Sequence, residues 1–305
     1  MHSNKVLSPK AKNADTEALF LGFLGVLAFS FSLPMTRLAA PEMGGFFVGL
    51  ARALVAAALA GILLLARGEK LPARAHWKSI SITALGVVVG FPVFSSLALE
   101  SVPSMHGTVI NGLLPAATAL MGVLLTREKP PLAFWVWTLI GVGTILVFAA
   151  LEGAGQPQLA DGFFLIAVLL GGMGYAEGAK LSRALEGWRT ICWSLLFAAP
   201  FLVIPVFLLG QNLQNVSSSA WLGFAYVSTF SMFLGFFPWY KALAQGGIAR
   251  VSPVQMLQPV LSLIWSALIL NEGLSARVVI FGLLITAIAW FTRQSANARA
   301  PRNLV

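Results

Sequence analysis

Residues 236–274 read FFPWYKALAQGGIARVSPVQMLQPVLSLIWSALILNEGL, and residues 97–129 read LALESVPSMHGTVINGLLPAATALMGVLLTREK. The two stretches superimpose at a constant offset of 144, from Ala98-Leu99 and Ala242-Leu243 to Glu128 and Glu272. In that register Thr108 meets Ser252, Asn111 meets Gln255, Pro115 meets Pro259 and Thr118 meets Ser262. A polar amide, a proline four residues on, a small hydroxyl and a terminal glutamate therefore occur twice, a coincidence that chance rarely preserves. A repeat of this kind sets the reading of the whole chain.

Outward from the repeat the sequence is overwhelmingly apolar. Of 305 residues 58% are hydrophobic and 10% charged, and the mean hydropathy is +0.84, where a soluble domain carries about a quarter of its residues charged. A helix rising about 1.5 Å per residue needs roughly 20 apolar residues to cross about 30 Å of hydrocarbon. Ten such runs are present, near 18–38, 45–66, 79–99, 104–125, 132–150, 161–181, 190–209, 220–241, 251–270 and 276–292. They are continuously apolar, where barrel strands would alternate, so the expected fold is all-α and membrane-embedded. The first run is too long for a signal peptide and is read as the first span. The expected organisation is a tail over 1–17, a five-helix repeat over 18–150, a second over 161–292, and a tail over 293–305.

The net charge of +9 is an orientation signal, because the basic residues alternate between connections. Seventeen of the twenty Lys and Arg fall in the tails and in every second loop; the other set of loops holds only Arg277, and Arg37 and Arg52 lie within spans. The positive-inside rule then puts both termini in the cytoplasm. No nucleic-acid partner is implied. Five spans per repeat, an odd number, insert the two copies in opposite directions, the arrangement on which alternating access is built.

Several residues stand out as candidates for a site within the bilayer. Asn111, Pro115 and Thr118 share one face at helical spacing, as do Gln255, Gln258 and Ser262, and lipid drives such faces inward. They are candidate substrate contacts, with helix-to-helix hydrogen bonding as the alternative. Pro115 and Pro259 each remove a backbone bond at membrane depth and are candidate hinges. Arg52 is the most deeply placed charge; it draws an anionic group, closes a structural ion pair, or snorkels outward. Glu177 with Lys180 reads as an i, i+3 ion pair or as a proton-coupling carboxylate, and His106 as an interfacial or titrating group. Tyr175, Trp239 and Tyr240 are candidate cavity aromatics, Tyr175 foremost, since Trp239 and Tyr240 also fall where an interfacial belt is expected. Glu128 and Glu272 are read as capping or gating groups. Gly45-x3-Gly49, Gly86-x3-Gly90 and Gly174-x3-Gly178 read as close helix packing. The lone Cys192 excludes an internal disulfide. No phosphate loop, His-Glu-x-x-His or Cys/His cluster occurs, so no metal or cofactor is expected and ATP-driven pumping by this chain alone is unsupported.

Residues 236–274 and their first copy at 97–129 resemble the paired signature of the EamA group of drug/metabolite transporters: an aromatic-Tyr-x-Ala-Leu segment, a Gly-rich turn, a helix with a central proline, and a glutamate before the last span. Pro34-Met35-Thr36-Arg37-Leu38 and Ala51-Arg52-Ala53-Leu54 resemble that family's first two helices. The resemblance implies a ten-helix basket of two inverted five-helix repeats around a central cavity, and secondary transport, most often export, of amino acids or other small metabolites. A bacterial inner membrane, proton or exchange coupling, and a monomer or homodimer follow as expectations. A membrane-embedded enzyme acting on lipid, or a non-transporting sensor or channel subunit, are the alternatives from other functional classes.

Overall fold

In a computed structural model, residues 9–126, 130–151, 159–210, 213–272 and 276–297 are described, and every regular element among them is helical. Lipid offers no partner for backbone N–H and C=O groups, so each apolar run must satisfy its own by coiling. Eight helical stretches are long and apolar enough to cross a membrane: Thr16–Met43, Gly45–Ala66, Arg74–Ser101, Ser104–Leu125, Leu159–Leu185, Gly187–Leu209, Ser218–Gly246 and Ile248–Leu270. The protein is therefore a multi-pass membrane protein. Shorter apolar stretches lie at Leu132–Thr144 and Leu283–Thr292, inside helices α8 (Leu132–Leu151) and α15 (Ala276–Asn297). Side chains such as Leu65, Phe201, Ile204 and Phe207 are more than two-thirds exposed, an apolar skin that suits hydrocarbon and not water.

The first stretch departs from the expected span. It is two helices, α1 (Pro9–Ser30) and α2 (Ser32–Met43), broken at Phe31, and it runs five residues beyond the expected end. Pro34 explains the break, since it has no N–H for the carbonyl of Ser30 four residues earlier. Ser262 supplies the missing donor, its Oγ lying 2.6 Å from that carbonyl oxygen. Two more side chains serve the same turn: Gln258 Nε2 donates to Phe29 O at 3.4 Å and Tyr226 Oη to Ala28 O at 3.1 Å.

Four of the remaining stretches are also interrupted, and at matched places. After α3 (Gly45–Ala66), α4 (Trp77–Thr83) passes through a π-helical segment, Ala84–Gly90, into α5 (Phe91–Ser101). In the second half, α11 (Ser218–Tyr226) passes through a π-helical segment, Val227–Leu234, before α12 (Phe236–Gly246). The offset of 144 carries 84–90 onto 228–234. Likewise α6 (Ser104–Asn111) and α7 (Leu114–Thr126) are separated at Gly112-Leu113. Their counterparts, α13 (Ile248–Val251) and α14 (Leu257–Leu270), are joined by a 3-10 segment, Ser252–Met256. Pro115 and Pro259 are thus the second and third residues of new helices instead of kinks within one helix. That is where a missing N–H is tolerated, because first-turn donors have no intrahelical partner anyway.

Helices α9 (Leu159–Leu185) and α10 (Gly187–Leu209) complete the bundle. The main packings are α9 on α5 and α7, α12 on α1, α3 on α10, α2 on α11, and α8 on α15. Glycines permit the closest of these. A Cβ on Gly86 would lie 2.6 Å from Gly174 Cα, and one on Gly49 2.6 Å from Val93 Cα, so these helices meet backbone to backbone. Trp239 and Tyr240, expected in an interfacial belt, are instead fully buried. Gly25 and Gly178 make room for them, and Tyr240 Oη donates to Gly174 O at 3.1 Å.

The two ends of the bundle are closed differently. At the end away from the basic loops, carboxylates from one helix end take backbone N–H groups at the start of another. Glu100 accepts from Gly45 N. Glu272 accepts from Ser104 N and Met105 N at 3.2 and 3.1 Å, and Glu42 from Ser217 N at 2.7 Å. At the basic end the polar contacts are ion pairs between side chains, such as Lys241–Glu17 at 3.1 Å and Arg189–Glu69 at 2.7 Å. An opening of about 780 Å³ lies among them, lined by residues of α1, α3, α9, α10 and α12 that include Leu21, Arg67, Glu186, Phe237 and Lys241.

Candidate functional site

Four of the five breaks converge on an internal cavity lined by Phe29, Ser32, Leu33, Arg52, Val87, Phe91, Tyr175, Ser231, Phe236 and Gln258, and the one between α6 and α7 does not. Its volume of about 20 Å³ has room for roughly one water molecule. Six of the membrane-crossing stretches contribute, through α1 and α2 on either side of the Phe31 break, α3, both π-helical segments with the helices that follow them, α9, and the first turn of α14. Val87 and Ser231 occupy the same place in the two copies, one in each π-helical segment.

Arg52 is the eighth of 22 residues in α3, three to four residues or roughly 5 Å from the helix midpoint. It is 3% exposed. Its one hydrogen bond among the described residues is a long one, Nη1 to Thr36 Oγ1 at 3.4 Å, and Nε has no partner. Neither of two readings from the sequence survives: among the described residues no carboxylate pairs with Arg52, and the side chain is too buried to snorkel. The apolar wall is aromatic. Tyr175 lies with ring centroids 5.5 to 6.1 Å from Trp239, Phe236 and Phe29, spacing at which edge and offset contacts are favourable. Across the cavity Ser32 and Ser231 share a hydrogen bond of 2.6 Å.

Of the residues singled out in the sequence, Arg52, Tyr175 and Gln258 meet on this cavity. Gln258 keeps an unpartnered Oε1 beside its bond to Phe29 O. Asn111 and Gln255 are buried at the two helix breaks, with Asn111 Oδ1 and both Gln255 side-chain polar atoms unpartnered. They do not line the cavity. They are also the residues whose backbone carbonyls the prolines four positions on cannot serve. Thr118 turns its hydroxyl back to Leu114 O at 2.8 Å, and Ser262 is engaged with Ser30.

Glu177 and Lys180 form the i, i+3 pair at 3.0 Å, and Ser79 Oγ donates to the same Glu177 oxygen at 2.5 Å, so this pair ties α9 to α4. His106 Nε2 meets Asp161 Oδ1 at 2.5 Å. Glu128 lies outside the described residues. Sequence reasoning missed Ser32, Ser231, Phe29, Phe91 and Phe236; serines isolated in apolar runs were the available signal for the first two, and nothing local distinguished the phenylalanines from lipid-facing ones.

Known proteins resemble this one in fold or in sequence. A solved crystal structure superposes with a TM-score of 0.70 over 92% of this chain and 98% of its own, at 18% identity, a likeness of fold. A Bacillus subtilis (strain 168) protein named uncharacterized transporter YdeK is 41% identical over 93% of this chain and 100% of its own length. Protein PecM of Dickeya dadantii (strain 3937) is 26% identical over 79% of this chain and 84% of its own. The EamA-like transporter family model matches twice, over residues 16–150 and 158–293, so the two copies read from the sequence are two family units, and the chain belongs to the EamA-like transporter family of membrane transporters.

Proposed function

We propose that the protein is a secondary transporter, an exporter of small metabolites, working by alternating access between two inverted five-helix repeats. On this reading α8 and α15 are the fifth and tenth spans, both termini face the cytoplasm of a bacterial inner membrane, and the basic end is the inner one. The cavity at Arg52 is the substrate site in a contracted state. The end capped by Glu42, Glu100 and Glu272 is the shut outer gate, and the opening near Lys241 is the inner vestibule.

One observation carries the proposal: a buried polar centre at mid-membrane depth where matched helix interruptions from both copies meet. Helix breaks at such depth are tolerated where they line a cavity, and π-helical segments concentrate at functional sites. Coupling to protons or to exchange of a counter-substrate provides the driving force. Purified protein in proteoliposomes is expected to give saturable flux of a small metabolite that is stimulated by a proton gradient or by counter-substrate. No flux from a broad panel under any gradient, or tags at the two termini on opposite membrane faces, would remove the reading.

A further inference from the structure

We infer that Arg52 is an anion-recognition group, and that the substrate class is small organic carboxylates with an apolar body and no ammonium group. The inference rests on the transporter reading and narrows it.

Arginine does not lose its proton in proteins, so Arg52 carries a full positive charge deep in the bundle, where an unbalanced charge is strongly disfavoured. Among the described residues its only hydrogen bond is the long one to Thr36, and none of the ten residues lining the cavity is acidic. Carboxylates elsewhere are held by other groups: Glu177 by Ser79 and Lys180, Asp161 by His106, and Glu100 by the backbone of Gly45. The charge therefore faces a site whose counter-ion the neighbouring side chains do not supply.

The rest of the wall specifies the remainder of the ligand. A guanidinium fork matches the two oxygens of a carboxylate, and the Ser32–Ser231 pair on the same cavity keeps one hydroxyl proton outside its mutual bond to donate. Phe29, Phe91, Tyr175 and Phe236 offer apolar faces suited to a ring or branched chain. Gln258 Oε1 is an unpartnered acceptor for a hydroxyl. No anionic side chain lines the wall to balance an ammonium; the aromatic faces and Gln258 Oε1 offer it only partial charge beside a full positive charge on Arg52, so an α-amino acid is selected against by mismatch. The cavity of about 20 Å³ must widen to admit such a molecule.

Three probes with one carbon skeleton test this: 3-phenylpropanoate, phenylalanine and 3-phenylpropylamine, titrated calorimetrically into the full chain in lipid nanodiscs. The expected result is binding of 3-phenylpropanoate at least about tenfold tighter than phenylalanine, with none of the amine. Arg52→Gln should weaken the carboxylate by about tenfold or more, and Arg52→Lys by less. Equal or tighter binding of phenylalanine or the amine, no binding of the carboxylate, or an unchanged affinity in Arg52→Gln each overturns the inference. Should Arg52→Gln fail to fold, the wild-type ranking decides alone. Flux of a neutral or cationic metabolite that Arg52→Gln leaves intact would sink the anion assignment and keep the transporter; carboxylate binding without flux of any kind would do the reverse.

Discussion

The end of the bundle away from the basic loops and the basic end are held by different mixtures of bonds, the first including the side-chain pair His106–Asp161. At the first, carboxylates of Glu42, Glu100 and Glu272 accept from backbone N–H groups that open α3, α6 and the turn before α11. Arg37 adds two bonds to the carbonyls of Leu99 and Glu100 at 2.6 and 2.9 Å. At the basic end Lys241 and Glu17 are each about half exposed, and the helices part around an opening of about 780 Å³. A carboxylate on a helix start satisfies donors that would otherwise lack partners and meets the positive end of the helix dipole. An exposed ion pair contributes little because water competes for both charges. A membrane protein can thus set the tightness of its two ends separately, by choosing backbone or side-chain partners for its acids.

Both ends hang on a shared middle, so the strongest test spoils the middle first. Gly86→Leu drives a side chain into the backbone of α9 and is expected to destabilise by about 3 kcal/mol or more, seen as loss of monodisperse protein in detergent. Gly162→Leu, whose added Cβ would meet nothing within 4 Å, should behave like wild type. The next effect is at the capped end. Glu272→Ala strips two backbone donors of their partner and should lower stability by about 1–3 kcal/mol. In a Cys192→Ala background it should also speed maleimide labelling of Ser104→Cys, a site fully buried in the parent. If Ala244→Cys at the basic opening is not labelled at least about tenfold faster than Ser104→Cys before that change, an opening difference of about 1.4 kcal/mol, the two ends are not distinct. Glu42→Ala acts on an exposed rim and should lower the thermal midpoint by less than Glu272→Ala does, because water can replace the lost acceptor. Smallest is the Lys241→Ala, Glu17→Ala pair, with a coupling of about 0.5 kcal/mol that disappears in high salt.

The helical membrane fold and the family were legible because they rest on long-range regularities: apolar run lengths and the recurrence of amide, proline, hydroxyl and glutamate at an offset of 144. Interruptions were less legible. ALGVVVG and VSTFSMFL are ordinary apolar helix sequence, and their π-helical winding comes from packing against neighbouring helices that no local pattern records. Pro34 stands in the first run, yet apolar length reads 18–38 as one unbroken span; the donors that make the break at Phe31 tolerable come from Ser262 and Gln258, more than 200 residues away. The same holds for the candidate site. The unusual type and depth of Arg52 drew attention to it; that no carboxylate among the described residues pairs with it depends on which acids the fold occupies elsewhere. Trp239 and Tyr240 were misjudged because their burial requires Gly25 and Gly178 on other helices.

Phe91 and Phe236, two walls of the cavity, stand at the first α-helical residues after the π-helical windings. A π turn holds about one residue more than an α turn, so rewinding either segment would feed that residue forward and swing the distal helix through roughly 100°. Each copy therefore stores a single quantum of rotation next to the cavity, enough to carry an aromatic ring from the wall of the site to another face without melting the helix that bears it.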